Sequence, residues 1–429
     1  MKICFKVCLF VIIFFVLSLD LAFFLKDDAN SYSRALTHSF YKQDNIDILF
    51  CGASHVSHGI DTRVSDLKFN CNTFNAGTPS QGINGTYAII QQAIKTYKVK
   101  KIFLECDFAI TCKGSGDSKK MGKSDFIVLN FLKDSSIKFN FTKDNSSANN
   151  MFNAFLPIGV DKLMTLSPSK LLKKTKALIS GEYFKYNYGD KDSGYDGKGC
   201  VLDYDFIENG TFNNDIFEPA FKPVSEYWKN YIGKIIALCK EHDIELVFYS
   251  MPGSDFYLHE KGDYDTFYSE IKSYLNRLGF DYYDFNLCRP AFSMEDKDYS
   301  DDNHLNINGI QKFSNYFCNL FTGKVSEEDM FYSSYKEKID AQEDKIYGLL
   351  IIKAENAKSF KIYPVKNNVS ESDITYDVAV KHNGIEEVLA QNSPDTVYNY
   401  PEQTSGKLYI KSYIRGALCN SVSVSYAAF

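Results

Sequence analysis

The sequence predicts an α/β protein built on a doubly wound, mainly parallel five-stranded sheet. A helical insertion interrupts this domain, an all-β sandwich-like domain follows it, and a transmembrane helix precedes it. Three observations carry the prediction. Short apolar runs alternate with segments of helical period from Ile46 to Phe321, the pattern of strands joined by crossover helices. Beyond Lys324 the chain changes to short β-rich segments parted by Asn367-Asn368, Asn383-Gly384 and Ser405-Gly406. At the other end, Val7 to Leu25 is apolar apart from Ser18 and Asp20, long enough to cross a hydrocarbon core as a helix.

Taken in order, residues 1–26 read as an uncleaved signal anchor. Lys2 and Lys6 hold its start on the cytoplasmic side, and Leu21-Ala22-Phe23-Phe24-Leu25 offers no small-residue cleavage site. Everything after Lys26 is then expected outside the membrane, beginning with a stalk over 27–45. The central strands are expected at 46–51, 72–75, 101–106, 244–250 and 281–285. Helices between them carry Ile90 and Ala93, then Trp228, Ile232, Ile235 and Cys239, then the span 263–278; Ile310, Phe313, Phe317 and Leu320 mark the closing helix. These elements define a domain at 46–322 with an insertion at 111–221, in which 167–179 is the clearest helix. A linker at 323–344 leads to the β-rich domain at 345–429.

Composition excludes some functions. The chain has 429 residues, with 48 basic and 54 acidic side chains and a net charge of -6, and no basic stripe stands out, so nucleic acid is not an expected partner. The 11 cysteines are scattered singly, without C-x-x-C or zinc-type histidine spacing, so no metal and no cofactor is expected and free thiols are favoured over disulfides.

The chemistry is concentrated in two places. Cys51-Gly52-Ala53-Ser54-His55 ends the first apolar run, and Asp301-Asp302-Asn303-His304-Leu305 lies far downstream. A serine at a strand tip and a distant Asp-x-x-His form the layout in which a hydroxyl is activated by an imidazole that a carboxylate orients. Ser54 is the candidate nucleophile, His304 its base, and Asp301, ahead of Asp302, the group that holds the imidazole. Backbone N–H groups of Ser54 and of the Ser80-Gln81 turn are the candidate oxyanion donors. His55 and Asn75 are candidate substrate contacts, though for His55 the structural role is the better reading. Tyr186, Tyr188 and Tyr195 of the aromatic, glycine-rich loop either stack on sugar faces or form the insertion's own core.

Gly52-Ala53-Ser54-His55, the Asn75-Ala76-Gly77-Thr78-Pro79-Ser80-Gln81 turn and Asp301-x-x-His304 followed by Leu305-Asn306-x-x-Gly309 resemble blocks I, II and V of the SGNH/GDSL hydrolase superfamily. The resemblance covers roughly Ile46 to Phe321 and implies a flavodoxin-like fold. It departs at block III, where the family's asparagine donor would follow the third strand and the chain reads Leu104-Glu105-Cys106-Asp107. Asp107 there reads as a strand-end cap or a contact to an active-site loop. With the anchor, this departure resembles the branch that works with membrane-bound O-acyltransferases in D-alanine transfer and polysaccharide O-acetylation. The resemblance implies an extracytoplasmic serine acyltransferase or acylesterase acting on O-acyl groups, O-acetyl first, of a cell-envelope polysaccharide, with a membrane-bound O-acyltransferase as partner. The alternative is a catalytically silent glycan-binding or export-complex subunit of the same fold.

Overall fold

The computed structural model describes residues 2–28, 31–114, 120–186, 194–207, 210–213, 223–353, 359–382, 384–400 and 405–426. All five central strands are present, at Ile48–Cys51, Thr73–Asn75, Lys101–Glu105, Glu245–Ser250 and Tyr282–Asp284, called first to fifth below. They form one sheet in the order second, first, third, fourth, fifth. The first strand pairs in parallel with the second and third, and the third with the fourth. Parallel strands are covered on both faces, which is why the runs are apolar without alternation. Leu49, Phe50, Ile102, Phe103 and Phe248 are buried accordingly.

The chain divides into two compact units, Met1–Asp203 with Val224–Tyr249, and Tyr204–Pro223 with Ser250–Phe429. These boundaries differ from the expected ones, since the second unit unites the later part of the 46–322 segment with the C-terminal domain.

In the first unit, residues 27–45 are not a stalk. Tyr32–Phe40 is a helix. Its Phe40 is fully buried, edge-on to Phe74 at 5.2 Å and Tyr97 at 5.1 Å and tilted against Phe131 at 4.6 Å. The sequence hid this because the segment is polar on one face and short. The insertion holds more helix than expected: Lys123–Phe131, Ser135–Asn145, Ala148–Phe155 and Pro168–Ser180. The N-terminal helix runs Lys2–Leu25, and Ile3–Leu25 is long and apolar enough to span a membrane. Its end is tied down: Lys174, itself buried, donates to the carbonyls of Phe23 and Lys26 and to Asp28. A helix end leaves such carbonyls without intrahelical donors, and a buried ammonium satisfies them.

In the second unit, the expected β-rich C-terminal segments appear as strands at Ile346–Lys353, Ser359–Lys366, Ile374–His382, Ile385–Ser393, Gly406–Ile414 and Ala417–Tyr426. Two more were not expected: Val397–Asn399, and Gly210–Asn213 from within the insertion, which pairs in parallel with Ile346–Lys353. Two four-stranded sheets result, and Leu349, Ile351 and Phe360 of one share a single apolar core with Val378, Leu408 and Ile410 of the other. The segment 323–344 is packed rather than a linker. Met330, Tyr335 and Ile339 are buried, and Lys338 bonds Asp255 at 2.8 Å and the Asn286 carbonyl at 3.0 Å.

Candidate active site

Ser54 opens a short helix, Ser54–Ser57, three residues after the first strand ends. The sheet order reverses at this point, because the second strand lies on one side of the first and the third strand on the other. In open α/β sheets, the crevice at such a reversal, outside the carboxyl ends of the strands, is where ligands bind. Ser54 is half-buried there, in the first helical turn, where amides have no intrahelical acceptor.

Two glycines make the turn. A Cβ on Gly52 would collide with the Glu105 carboxylate and Val56, and one on Gly77 would lie 2.6 Å from the Ala53 carbonyl and 2.8 Å from the Ser57 amide. The close approach brings Glu105, at the end of the third strand, under the serine. Its Oε2 accepts from the Ala53 N–H at 3.1 Å and its Oε1 meets His55 Nδ1 at 3.2 Å, so one carboxylate holds both neighbours of Ser54. Asp107 Oδ1 lies 3.2 Å from the same imidazole nitrogen. Asp107 also caps the helix Phe108–Thr111 through the Ile110 N–H at 3.1 Å.

The electrostatics are those of a buried triad of charges. Burial alone would lower the His55 pKa, but Asp107 and Glu105 outweigh it and raise the imidazole well above its usual value. Burial pushes Glu105 up, against the pull of His55. For Asp107 the burial penalty is overcome by His55 and by backbone donors, and its pKa falls. His55 Nδ1 is thus turned toward two carboxylates as a brace, in keeping with the structural one of its two readings. Glu105 was missed by the sequence reading. Its one signal was a carboxylate closing an otherwise apolar central strand.

The second turn is built the same way. Asn75 is fully buried, its amide donating to the carbonyls of Val56 at 2.6 Å and Ile60 at 3.2 Å and accepting from the Gly77 N–H at 3.1 Å. It braces the serine loop and is not a substrate contact. The Gln81 N–H donates to the Thr78 carbonyl, and its side chain is held by Thr78 and Thr86. Gln81 therefore shapes the turn, leaving the Ser80 amide as that turn's candidate donor. Ser80 is exposed and has φ 51°, a left-handed conformation that non-glycine residues adopt at a cost and that clusters at functional sites. A polar cavity of about 380 Å³ opens beside it, lined among others by Ser80, Asn84, Ser124, Asp125 and Tyr227.

The aromatic loop divides. Tyr195 is buried, and its hydroxyl accepts from the Gly199 N–H at 3.0 Å, so it belongs to the insertion's core. Tyr186 is half-exposed, with one face stacked on His38 at 3.5 Å and the Arg34 guanidinium 4.4 Å from its centroid. Tyr188 lies outside the described residues.

The histidine belongs to the second unit and is positioned by its own loop. The Asp301 Oδ1 accepts from the Asn303 N–H at 3.0 Å and the His304 N–H at 2.8 Å, while His304 Nδ1 meets Oδ2 at 2.8 Å. Burial would raise the Asp301 pKa, but His304 and these two amides hold it down at about 2. Asp301, not Asp302, orients the ring; the Asp302 carbonyl instead accepts from Ser254. With Nδ1 bound to the carboxylate, the ring is oriented with Nε2 on the edge away from Asp301. Asn306 caps the following helix, Ile307–Phe321, and holds the loop through the carbonyls of Lys297 and Tyr299. Gly309 is required because a Cβ there would collide with the Asp298 carbonyl.

Among the described residues no cluster of His, Cys, Asp or Glu could hold a metal ion. All eleven cysteines are free thiols.

One family model, which carries no functional description, matches residues 203–326, under half of the chain. No curated protein matches significantly. Among solved structures, a modular endo-β-1,4-mannanase of glycoside hydrolase family 26 from Cellulomonas fimi is similar at 11% identity and a TM-score of 0.15, covering 94% of this chain and 99% of that one. A double mutant of the Cellulomonas fimi mannanase gives 10% identity, the same coverages and the same score. At such scores the likeness carries no argument about fold or activity.

Proposed function

We propose that the protein is a membrane-anchored, serine-dependent acyltransferase or acylesterase of the SGNH type, acting outside the cytoplasm on O-acyl, chiefly O-acetyl, groups of a cell-envelope polysaccharide. The observation that carries the reading is the Asp301–His304 pair, whose carboxylate fixes Nδ1 and turns Nε2 away from Asp301. It is supported by Ser54 at the reversal of the sheet order. In this reading His304 Nε2 takes the proton of Ser54 Oγ as the oxygen bonds to the acyl carbon. The resulting oxyanion is met by the amides of Ser54 and Ser80. The acyl–oxygen bond of the donor then breaks, its oxygen takes the proton from His304, and an acyl-Ser54 ester remains. A sugar hydroxyl, or water, repeats the steps in reverse and restores the serine. The cavity beside Ser80, with its amide, hydroxyl and tyrosine groups, suits a carbohydrate acceptor. A membrane-bound O-acyltransferase remains the proposed donor-side partner.

The second reading, a silent member of the fold, is favoured by one observation. Asp107, where an asparagine donor would stand, has its carboxylate committed to His55 and to a helix cap. One experiment decides both. The full chain is incubated with an activated acetyl ester, with and without an oligosaccharide of envelope type. Acetylated oligosaccharide, absent with Ser54→Ala, supports transfer; acetate release alone supports hydrolysis; neither product in the parent leaves the silent reading.

A further inference from the structure

The end of the N-terminal helix opens onto a cavity of about 490 Å³ whose lining includes Lys26, Arg34, Lys42 and Lys133, together with Asp27 and Asp28. Both carboxylates are already engaged: Asp27 pairs with Lys170 at 2.6 Å, and Asp28 pairs with the buried Lys174 at 2.7 Å and takes a hydrogen bond from the Tyr183 hydroxyl. Among the described residues, none of the four cations forms an ion pair with a carboxylate. Aromatic rings hold two of them instead. The Arg34 guanidinium sits 3.8 Å from the Tyr183 ring centroid and donates to the Tyr183 carbonyl, and Lys133 Nζ lies 3.7 Å over Tyr41. Arg34 and Lys133 are therefore held in place by rings rather than by carboxylates, and Lys26 has Asp28 as its nearby carboxylate.

The position of the cavity says what such a set of cations would meet. The helix has 23 apolar-rich residues, which at 1.5 Å each span about 35 Å, close to a hydrocarbon core. Lys26 follows its last residue and forms a bridge with Met164, and the Thr165 N–H donates to the Leu25 carbonyl at 2.9 Å. Next to that bond, Leu166 presents a bare apolar side chain to the surroundings, 80% exposed. An apolar side chain at the level of a helix end, with cations just beyond, fits the boundary between acyl chains and headgroups.

We propose that this cavity is a phosphate site that receives the headgroup of an anionic membrane lipid at the outer end of the anchor. It rests on the anchored reading of the helix given above, but not on the acyl chemistry of Ser54. His38 lines the same space, and its pKa is lowered first by burial and then by Lys42, Arg34 and Lys133.

The test uses the full chain in a neutral detergent, titrated with short-chain phosphatidylglycerol, short-chain phosphatidylcholine and inorganic phosphate. Phosphatidylglycerol is expected to bind at least tenfold more tightly than phosphatidylcholine, whose choline the cations repel. Lys42→Gln with Lys133→Gln, both on exposed side chains, should weaken the phosphatidylglycerol affinity roughly tenfold or more. A matched pair on a distant helix, Lys234→Gln with Lys240→Gln, should change it less than twofold. Ser54→Ala should bind as the parent does, and acyl-enzyme labelling of the same preparation separates a failure here from a failure of the proposed catalysis. Equal affinity for the two lipids, or equal losses in the two lysine pairs, would overturn the site. Inorganic phosphate binding as tightly as the lipid, with the same loss in Lys42→Gln/Lys133→Gln, would keep the phosphate chemistry and overturn the lipid as its source.

Discussion

Ser54 and His304 are held by opposite means. The serine turn depends on groups brought from far along the chain: Glu105 on the Ala53 amide and His55, Asn75 on the carbonyls of Val56 and Ile60, and Gly77 against Ala53 and Ser57. The histidine depends on Asp301, three residues away, and on amides of the same loop. Exposure follows the same division. The His55 and Glu105 side chains are 10% and 1% exposed, whereas those of His304 and Asp301 are 22% and 54% exposed. The lesson is that one region gains its geometry from tertiary packing of buried charge and the other from a local hydrogen-bonded turn, so damage to each should read out differently.

The largest expected effect separates function from stability at the local turn. Asp301→Asn should lower the rate of acyl-enzyme formation by roughly 10³–10⁴-fold, because the imidazole loses its orienting carboxylate. Its unfolding free energy should change by less than about 1 kcal/mol, as for other exposed pairs. Comparable losses in denaturant stability would break the distinction.

The reverse is expected at the clamp. Glu105→Ala leaves the buried imidazole facing Asp107 alone and frees the Ala53 amide, and breaking such a buried pair costs about 3–5 kcal/mol. Chemical denaturation of the full chain measures it, and a loss below about 1 kcal/mol would show that Glu105 does not hold the turn.

pH sharpens the comparison further. His55 has a folded pKa above its ordinary value of 6.5, so its stabilisation is complete below that value and is lost as pH rises through the raised one. Asp107 has a depressed pKa, so its share is present above its ordinary 3.8 and is lost as pH falls through the lower one. The stability advantage of the parent over His55→Gln should therefore shrink on the alkaline side. A difference independent of pH would contradict a protonated His55.

The smallest effect belongs to Ser80. Glycine there relieves a left-handed strain of about 1 kcal/mol and loses a similar amount through greater freedom of the unfolded chain, so Ser80→Gly should shift stability by no more than about 0.5 kcal/mol. Calorimetric melting of the two proteins checks this.

The contrast also explains what the sequence could disclose. The Asp301–His304 arrangement is legible because spacing fixes it: a carboxylate three residues before a histidine reaches both its amide and its ring. The strands are legible because Ile48–Cys51 and Lys101–Glu105 are buried on both faces and so lack polar alternation. Glu105 and Asn75 were not legible in their roles, since each acts on a loop distant in sequence and only the folded sheet brings them there. Tyrosine left two readings open for a different reason. A ring that is apolar with one polar tip serves a core as readily as a sugar site, and Tyr195 closes its own turn by accepting from Gly199. The strand Gly210–Asn213 carries too little apolar pattern to announce itself, and its partner lies more than a hundred residues on.

The most direct measurement is covalent labelling of the full chain with a fluorophosphonate, followed by peptide mapping and rates. If Ser54 and His304 act as nucleophile and base, the label maps to Ser54, is absent in Ser54→Ala, and forms at least a hundredfold more slowly in His304→Gln. Label on another residue, or an unchanged rate in His304→Gln, would contradict the pairing on which the account rests.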